Sequence, residues 1–414
     1  MRMVILGNGP AAVSAAEAIR DVEQSCEIIM IAREEGPCYS PCPLAEYVEG
    51  TVSREKLFIR DEDFYIRLNI TTLFGADVRR VDVAANEVVL ANEKRVAYDR
   101  VLIAIGSRAF FPPIPGINNT DGVFALKTLA DADGILERIG KVENAVVIGS
   151  GVIGLEAAQG LAHHGISVTV LEVRNQILPQ MLDADFAREV QDILEEHDIK
   201  IVLNAKVEEI LGEHGISAVK VNGSLIDCNL LICAAGVRPN LSIIEGTDIQ
   251  INHGIVVDNH MQTSFPNVFA AGDIIETEDF NGQQTILPTW PNAVNSGRIA
   301  GYNMAGRSPR FIGLETINVL RVFDVPIGSF GISEGDRTIE WSNKGIRKRL
   351  SLKDNRIAGI QVLGDITNMG LYLEMMKKGR NMSAYENTVL SPEFGYARLI
   401  DTATHKSTFT AVAE

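Results

Sequence analysis

A strand, a glycine turn and a helix recur in the same order at two distant points of this chain, and that duplication limits the fold more than any other feature. The first copy runs Met3-Val-Ile-Leu-Gly-Asn-Gly-Pro-Ala-Ala into a helical pattern over residues 11–20, followed by the apolar stretch 27–32. The second begins at Asn144, passes through Ile-Gly-Ser-Gly-Val-Ile-Gly, stays helical to His164 and enters a strand over residues 167–171. The copies lie too far apart for a solenoid, whose repeats span roughly 20 to 50 residues, so they imply two separate nucleotide domains. In Gly7-x-Gly9-x-x-Ala12 and Gly149-x-Gly151-x-x-Gly154, the first glycine permits a tight turn and the second lets a pyrophosphate approach the backbone. The third small residue packs helix against strand, and the amides of the helix start face the phosphates. Beyond the second strand of each copy stands a carboxylate suited to a ribose, Glu34 and Glu172. Glu172 would repel a 2′-phosphate and so favours NADH over NADPH, although Arg174 nearby could accept a phosphate. A mere tight turn and a solvated strand-end carboxylate are the alternative readings.

At 414 residues the chain exceeds the size at which one core keeps growing. The expected partition is 1–112 and 241–313 for the first nucleotide domain, 113–240 for the second, inserted one, and 314–414 for a smaller tail domain. Pro112-Pro-Ile-Pro-Gly116 is a stiff stretch suited to the crossover, and a comparable break follows Gly236-Val-Arg-Pro-Asn240. A formal net charge of −16 works against nucleic-acid binding. No run reaches the roughly 18 apolar residues of a membrane helix. Met1 leads straight into a strand without a signal-peptide layout, so a cytoplasmic protein without membrane insertion is expected. Five scattered cysteines argue against a secreted disulfide framework, and no metal-ligand spacing is present.

Four further segments accompany the two turns. Tyr98-Asp-Arg-Val-Leu-Ile-Ala-Ile-Gly-Ser107 is an apolar strand ending in a turn at Gly106, and Leu230-Leu-Ile-Cys-Ala-Ala-Gly-Val-Arg-Pro-Asn240 has the same form. Thr263-Ser-Phe-Pro-Asn-Val-Phe-Ala-Ala-Gly-Asp273 places a carboxylate after a small-residue turn at Gly272, where it can accept hydroxyl hydrogen bonds. Read alone, Asp273 is better taken as a capping aspartate. The fourth opens at Trp290-Pro-Asn-Ala-Val-Asn-Ser-Gly and ends at Gly306. With these six segments in this order, the chain resembles the pyridine nucleotide-disulfide oxidoreductase family, with Ile105 where the family usually has threonine. The resemblance implies an α/β fold of two Rossmann-like three-layer domains, the NAD domain inserted in the FAD domain, plus an α+β C-terminal domain. It implies FAD at Gly7, Gly9, Ala12, Glu34, Gly106, Gly272, Asp273 and Trp290, and NAD(H) at Gly149, Gly151, Gly154 and Glu172. The counterpart of Asp273 holds the ribityl chain in that family, and the helix opening at Trp290 directs its positive end at the flavin pyrimidine.

The exit for electrons rests on weaker signals. In Gly36-Pro-Cys-Tyr-Ser-Pro-Cys-Pro-Leu, Pro43 suits a first helical turn and places Cys42 at the cap, where the positive helix end would favour a thiolate. The segment is similar to the one carrying the single redox cysteine of coenzyme A-disulfide reductases and NADH oxidases. Cys42 takes the matching position, with Cys38 and Pro43 departing from the pattern. A redox thiol and a packing cysteine beside the flavin both remain open, while a Cys38–Cys42 disulfide is disfavoured by four-residue spacing on a helix. Glu156 is either a helix-surface carboxylate or, as in related enzymes, a group close to where nicotinamide meets flavin. The tail offers only His405 and no histidine-glutamate relay pair. From Asp354 onward it resembles rubredoxin reductases and NADH-nitrite reductases, and residues 7–60 resemble the FAD subunit of phenylglyoxylate dehydrogenase. These resemblances imply an electron-transfer flavoprotein between NAD(H) and an iron-sulfur subunit or ferredoxin-like acceptor, with the clusters in partner chains. The alternatives are a stand-alone NADH-dependent disulfide reductase or oxidase using Cys42, and a non-catalytic flavin-bound assembly subunit. A homo-oligomer through the C-terminal domain is a further expectation.

Overall fold

The computed structural model describes residues 1–280, 282–332 and 335–399. The chain groups into two compact units, Met1–Ile177 with Leu194–Glu315, and Leu178–Ile193 with Thr316 onward. His405 lies outside the described residues. Among the described residues no helix is long and apolar enough to cross a membrane.

The first unit contains two five-stranded parallel sheets built alike. In the first, Arg2–Leu6 lies between Glu27–Ile31 and Arg100–Ile103, with Ile70–Leu73 and Val268–Ala270 at the edges. In the second, Asn144–Ile148 lies between Ser167–Leu171 and Leu230–Cys233, with Lys200–Val202 and Val123–Phe124 outside. Met3, Val4, Ile5 and Leu6 are fully buried, as strands covered on both faces must be. In each sheet the chain leaves the central strand to opposite sides, which opens a crevice at the carboxyl ends where doubly wound folds bind ligands. Ser107–Ala109, a few residues before the Pro112–Gly116 stretch, pairs antiparallel with Val237–Pro239.

The first nucleotide helix, Pro10–Val22, buries Ala11, Ala12, Ala15, Ala16 and Ala18. That small-residue face admits the long helix Trp290–Met304 at backbone distance. A Cβ on Gly297 would stand 2.2 Å from the Ala11 carbonyl oxygen, and one on Gly301 2.3 Å from that of Ala15. The glycines therefore fix the two helices at close crossing, where any larger residue would force them apart.

The second unit is an antiparallel five-stranded sheet packed under the helix Met369–Lys377, with Phe330, Leu350, Ile360, Tyr372 and Met375 in its core. Two of its strands, Ile346–Lys353 and Arg356–Leu363, pair antiparallel as neighbours. Residues 178–193 group with this sheet although they fall inside the 113–240 segment. Arg349 and Gln361 both bind Asp183, Arg347 pairs with Glu189, and the two guanidiniums lie 4.5 and 5.3 Å from the Phe186 ring centroid.

Candidate functional site

The two glycine turns have the same geometry. Gly7 (φ +110°) and Gly149 (φ +101°) adopt left-handed backbone, and a Cβ there would meet the carbonyl oxygens of Ala104 at 2.2 Å and Ala234 at 2.4 Å. Glycine is therefore required by the turn and the neighbouring strand. At Gly9 and Gly151 the same hypothetical Cβ meets nothing within 4 Å, which leaves open space at each helix N-terminus. A Cβ on Gly154 would stand 2.1 Å from the Gly149 carbonyl oxygen, and in the first copy Ala12 is fully buried at the matching position. One glycine makes the turn, one leaves the space and one small residue seats the helix, as dinucleotide binding requires.

The ribose carboxylates differ between the copies. Glu172 is buried; its Oε2 accepts hydrogen bonds from the Ser150 amide (3.0 Å) and hydroxyl (2.6 Å), and its Oε1 from the Arg174 amide (2.9 Å). It thus braces its own glycine turn, and Oε1 keeps room for one further donor. Parallel pairing of Leu6 with Ile31 and of Ile148 with Leu171 makes Ala32, not Glu34, the counterpart of Glu172. Glu34 lies two residues further on and is exposed. Its loop is tied over the first turn, since Asn8 Nδ2 donates to the Gly36 carbonyl (3.1 Å), the Tyr65 hydroxyl donates to Asn8 Oδ1 (2.8 Å), and the Cys38 amide donates to that hydroxyl (2.9 Å).

Asp273 sits at the first sheet's crevice. Its Oδ2 accepts from the Ser107 hydroxyl (2.7 Å) and pairs with Lys127 Nζ (3.0 Å). Lys127 is held by the capping box of helix Leu129–Ile139, its amide donating to Asp131 at 3.0 Å. Gly106, beside Ser107, has φ +63° with open space beyond its Cα, and Gly272 has φ +82° next to Ala11. The Gly272 amide donates to Ser296 of the long helix at 3.0 Å. That helix opens at half-buried Trp290 under the cap residue Thr289, whose Oγ1 is buried without a hydrogen-bond partner. An orphaned hydroxyl at a helix start suits a polar ligand, and with the open space at Gly9 and Gly106 these residues fit a bound FAD.

Cys42 departs from expectation. The short helix is Leu44–Glu49 with Pro43 as its cap, so Cys42 stands one residue outside. It is accessible, yet desolvation by its surroundings raises its thiol above the ordinary value, and the carboxylates of Glu156 and Glu46 add to the effect. A thiolate favoured by the helix end is therefore corrected to a neutral thiol, because six residues of helix offset neither desolvation nor two carboxylates. Cys38 is buried and free, its thiol pushed up to about 12 by burial. Glu156 lies on the second nucleotide helix, Val152–His163, and burial, reinforced by Glu46, raises it to about 8. The structure thus brings Cys42 and Glu156 into one electrostatic environment. Asn8, Tyr65, Ser107, Lys127 and Glu46 escape sequence reasoning: Asn8 and Ser107 stand inside quoted segments at positions to which spacing gives no role, and Tyr65, Lys127 and Glu46 lie in no spaced motif.

The pyridine nucleotide-disulphide oxidoreductase model matches residues 1–297. The NADH oxidase of Methanocaldococcus jannaschii is 36% identical over 343 residues, covering 80% of this chain and 76% of its own. The NADH-dependent phenylglyoxylate dehydrogenase subunit epsilon of Aromatoleum evansii is 28% identical over 410 residues, covering 96% and 97%. The chain spans 51% and 48% of two longer relatives from Bacillus subtilis. Among solved structures, the NAD-dependent persulfide reductase from A. fulgidus has a TM-score of 0.88 at 28% identity, covering 93% of this chain and 78% of its own. With two doubly wound sheets, two dinucleotide turns and this match over most of its length, the chain belongs to the pyridine nucleotide-disulphide oxidoreductase family, NADH-dependent flavoenzymes that use FAD and NAD(H).

Proposed function

We propose that this chain is an electron-transfer flavoprotein, exchanging hydride with NAD(H) through FAD and electrons with an iron-sulfur partner, as a cytoplasmic subunit of a 2-oxoacid:acceptor oxidoreductase. The observation that carries this reading is the state of the cysteines. Cys42 is held as a neutral thiol and Cys38 is free and buried, so no dithiol relay is assembled among the described residues. The near full-length likeness to the phenylglyoxylate dehydrogenase subunit supports it. FAD, when bound, accepts hydride and releases electrons singly or in pairs. In this reading Gly7, Gly9, Ala12, Glu34, Gly106, Gly272, Asp273 and Trp290 hold FAD. Gly149, Gly151, Gly154 and Glu172 hold NAD(H) and set its type. Glu156 lies where the nicotinamide meets the flavin. The domains follow the 1–112, 113–240, 241–313 and 314–414 partition, with Ser107–Ala109 and Val237–Pro239 as the hinge ribbon.

A second reading, a stand-alone disulfide reductase or oxidase working through Cys42, is favoured by the accessibility of that thiol and by the M. jannaschii NADH oxidase. Native isolation from the source cell with mass spectrometry separates the two. Stable co-elution with chains carrying cluster cysteines is the expected result, and a lone flavoprotein would favour the second reading.

A further inference from the structure

The second glycine turn carries a hydrogen bond that its spacing does not require. Ser150, between Gly149 and Gly151, is fully buried and meets Glu172 through two groups. Its amide donates to Oε2 at 3.0 Å, and its hydroxyl donates to the same oxygen at 2.6 Å. The Arg174 amide donates to Oε1 at 2.9 Å. Both amides are backbone groups that almost any residue would supply, so the hydroxyl is the one donor that depends on a side chain.

The backbone beside Glu172 is tied on both sides. Its amide donates to the Val202 carbonyl at 2.9 Å, its carbonyl accepts from the Ala205 amide at 2.8 Å, and the Arg174 carbonyl accepts from the Asn204 amide at 2.9 Å. A nucleotide with a 2′-phosphate therefore enters this site only when the Glu172 side chain turns out of it, because carboxylate and phosphate repel at that distance. Turning out breaks the bonds from Ser150. Arg174 is exposed, and its guanidinium meets no carboxylate among the described residues. A guanidinium so placed can take a phosphate through two parallel N–H bonds once the carboxylate has left. The site thus holds both a group that rejects the phosphate and one that would bind it.

We propose that Ser150 is a positioning residue that locks Glu172 in the ribose site, and that this lock keeps Arg174 from serving as a receptor for the 2′-phosphate of NADP(H). The lock rests on the reading of Glu172 as the ribose carboxylate and adds what holds it there. A hydroxyl bond to a carboxylate is charge-assisted, and its loss makes displacement of Glu172 about tenfold easier. Oε1 and both amide bonds are untouched by that loss, so the contact offered to a plain ribose persists.

Calorimetric titration of the flavin-loaded protein with NAD+ and with NADP+ reads both affinities without turnover. In Ser150→Ala the NADP+ dissociation constant should fall about tenfold, while that of NAD+ stays within about threefold of the parent. Damage to the turn would weaken both nucleotides, so tighter NADP+ binding is a result that a merely structural role does not give. Adding Arg174→Gln should cancel the gain for NADP+ and leave NAD+ binding unchanged, because the amide that serves Oε1 is retained. Ser150→Gly, which also lacks the hydroxyl, provides the same comparison if the alanine variant does not fold. An affinity ratio of NADP+ to NAD+ within about twofold of the parent in a folded variant, or a gain that survives Arg174→Gln, would overturn the proposal. A parent protein that binds NADP+ more tightly than NAD+ would overturn the ribose reading of Glu172 beneath it.

Discussion

Gly149→Ala and Gly151→Ala place the same methyl group two residues apart with opposite consequences. At Gly149 the backbone is left-handed at φ +101°, and the new Cβ would stand 2.4 Å from the Ala234 carbonyl oxygen. Left-handed backbone costs an alanine about 1–2 kcal/mol and overpacking about 1–3 kcal/mol, so a loss of roughly 3 kcal/mol is expected. At Gly151 φ is −73° and the methyl meets nothing within 4 Å, so stability should change by no more than about 0.5 kcal/mol. The methyl does occupy the space through which a pyrophosphate approaches the helix start, and NAD+ affinity should fall at least tenfold, about 1.4 kcal/mol. Thermal unfolding of the flavin-loaded proteins and calorimetric titration with NAD+ measure the two effects separately. The reasoning fails if Gly151→Ala destabilises as much as Gly149→Ala, or if it binds NAD+ within twofold of the parent.

Glu172→Ala should narrow the preference for NADH over NADPH, measured as the ratio of flavin-bleaching rates, and should also loosen the turn through loss of the Ser150 bonds; faster bleaching of the parent by NADPH would refute the assignment. Gly301→Val should drive the long helix away from Ala15 and release flavin at lower temperature, read as the onset of free flavin fluorescence; unchanged release would argue against close helix contact as the brace of the site. In the C-terminal unit, buried Lys348 pairs with Asp365 at 2.7 Å and, with hydrogen bonds from the Thr367 hydroxyl and amide, holds its carboxyl down at about 2. A depressed carboxyl stabilises the fold above its unfolded pKa near 4 and loses that contribution as pH falls towards 2. Lys348→Met removes the largest of these contributions and leaves the Thr367 bonds, so its cost should be about 1 kcal/mol greater at pH 7 than at pH 2, as urea unfolding would show; a deficit independent of pH would assign the cost to packing alone.

Both glycine turns are legible in the sequence because each is a local pattern in which residue spacing maps directly onto strand, turn and helix. The parallel sheets follow from the apolar runs beside them. What escapes depends on pairs distant in the chain. Ser107, at the start of a short strand, and Lys127, in a loop, converge on Asp273 from segments that no periodicity connects. Residues 178–193 read as part of the second nucleotide domain, yet Asp183 and Glu189 find their partners in Arg349 and Arg347, charges that look like ordinary solvated strand residues. At Cys42 a local rule failed. Pro43 forms the cap itself, and the thiol responds to desolvation and to Glu46 and Glu156, the latter brought in by a helix far along the chain.

Anaerobic rapid mixing tests electron transfer most directly. The protein is first reduced with one equivalent of NADH, followed as bleaching of the flavin band, and then mixed with an oxidised iron-sulfur protein. Transfer without the thiol predicts that Cys42→Ser bleaches and returns its electrons to the acceptor at rates within about twofold of the parent. Loss of the second phase in Cys42→Ser, with the first intact, would contradict it and assign the exit to the thiol.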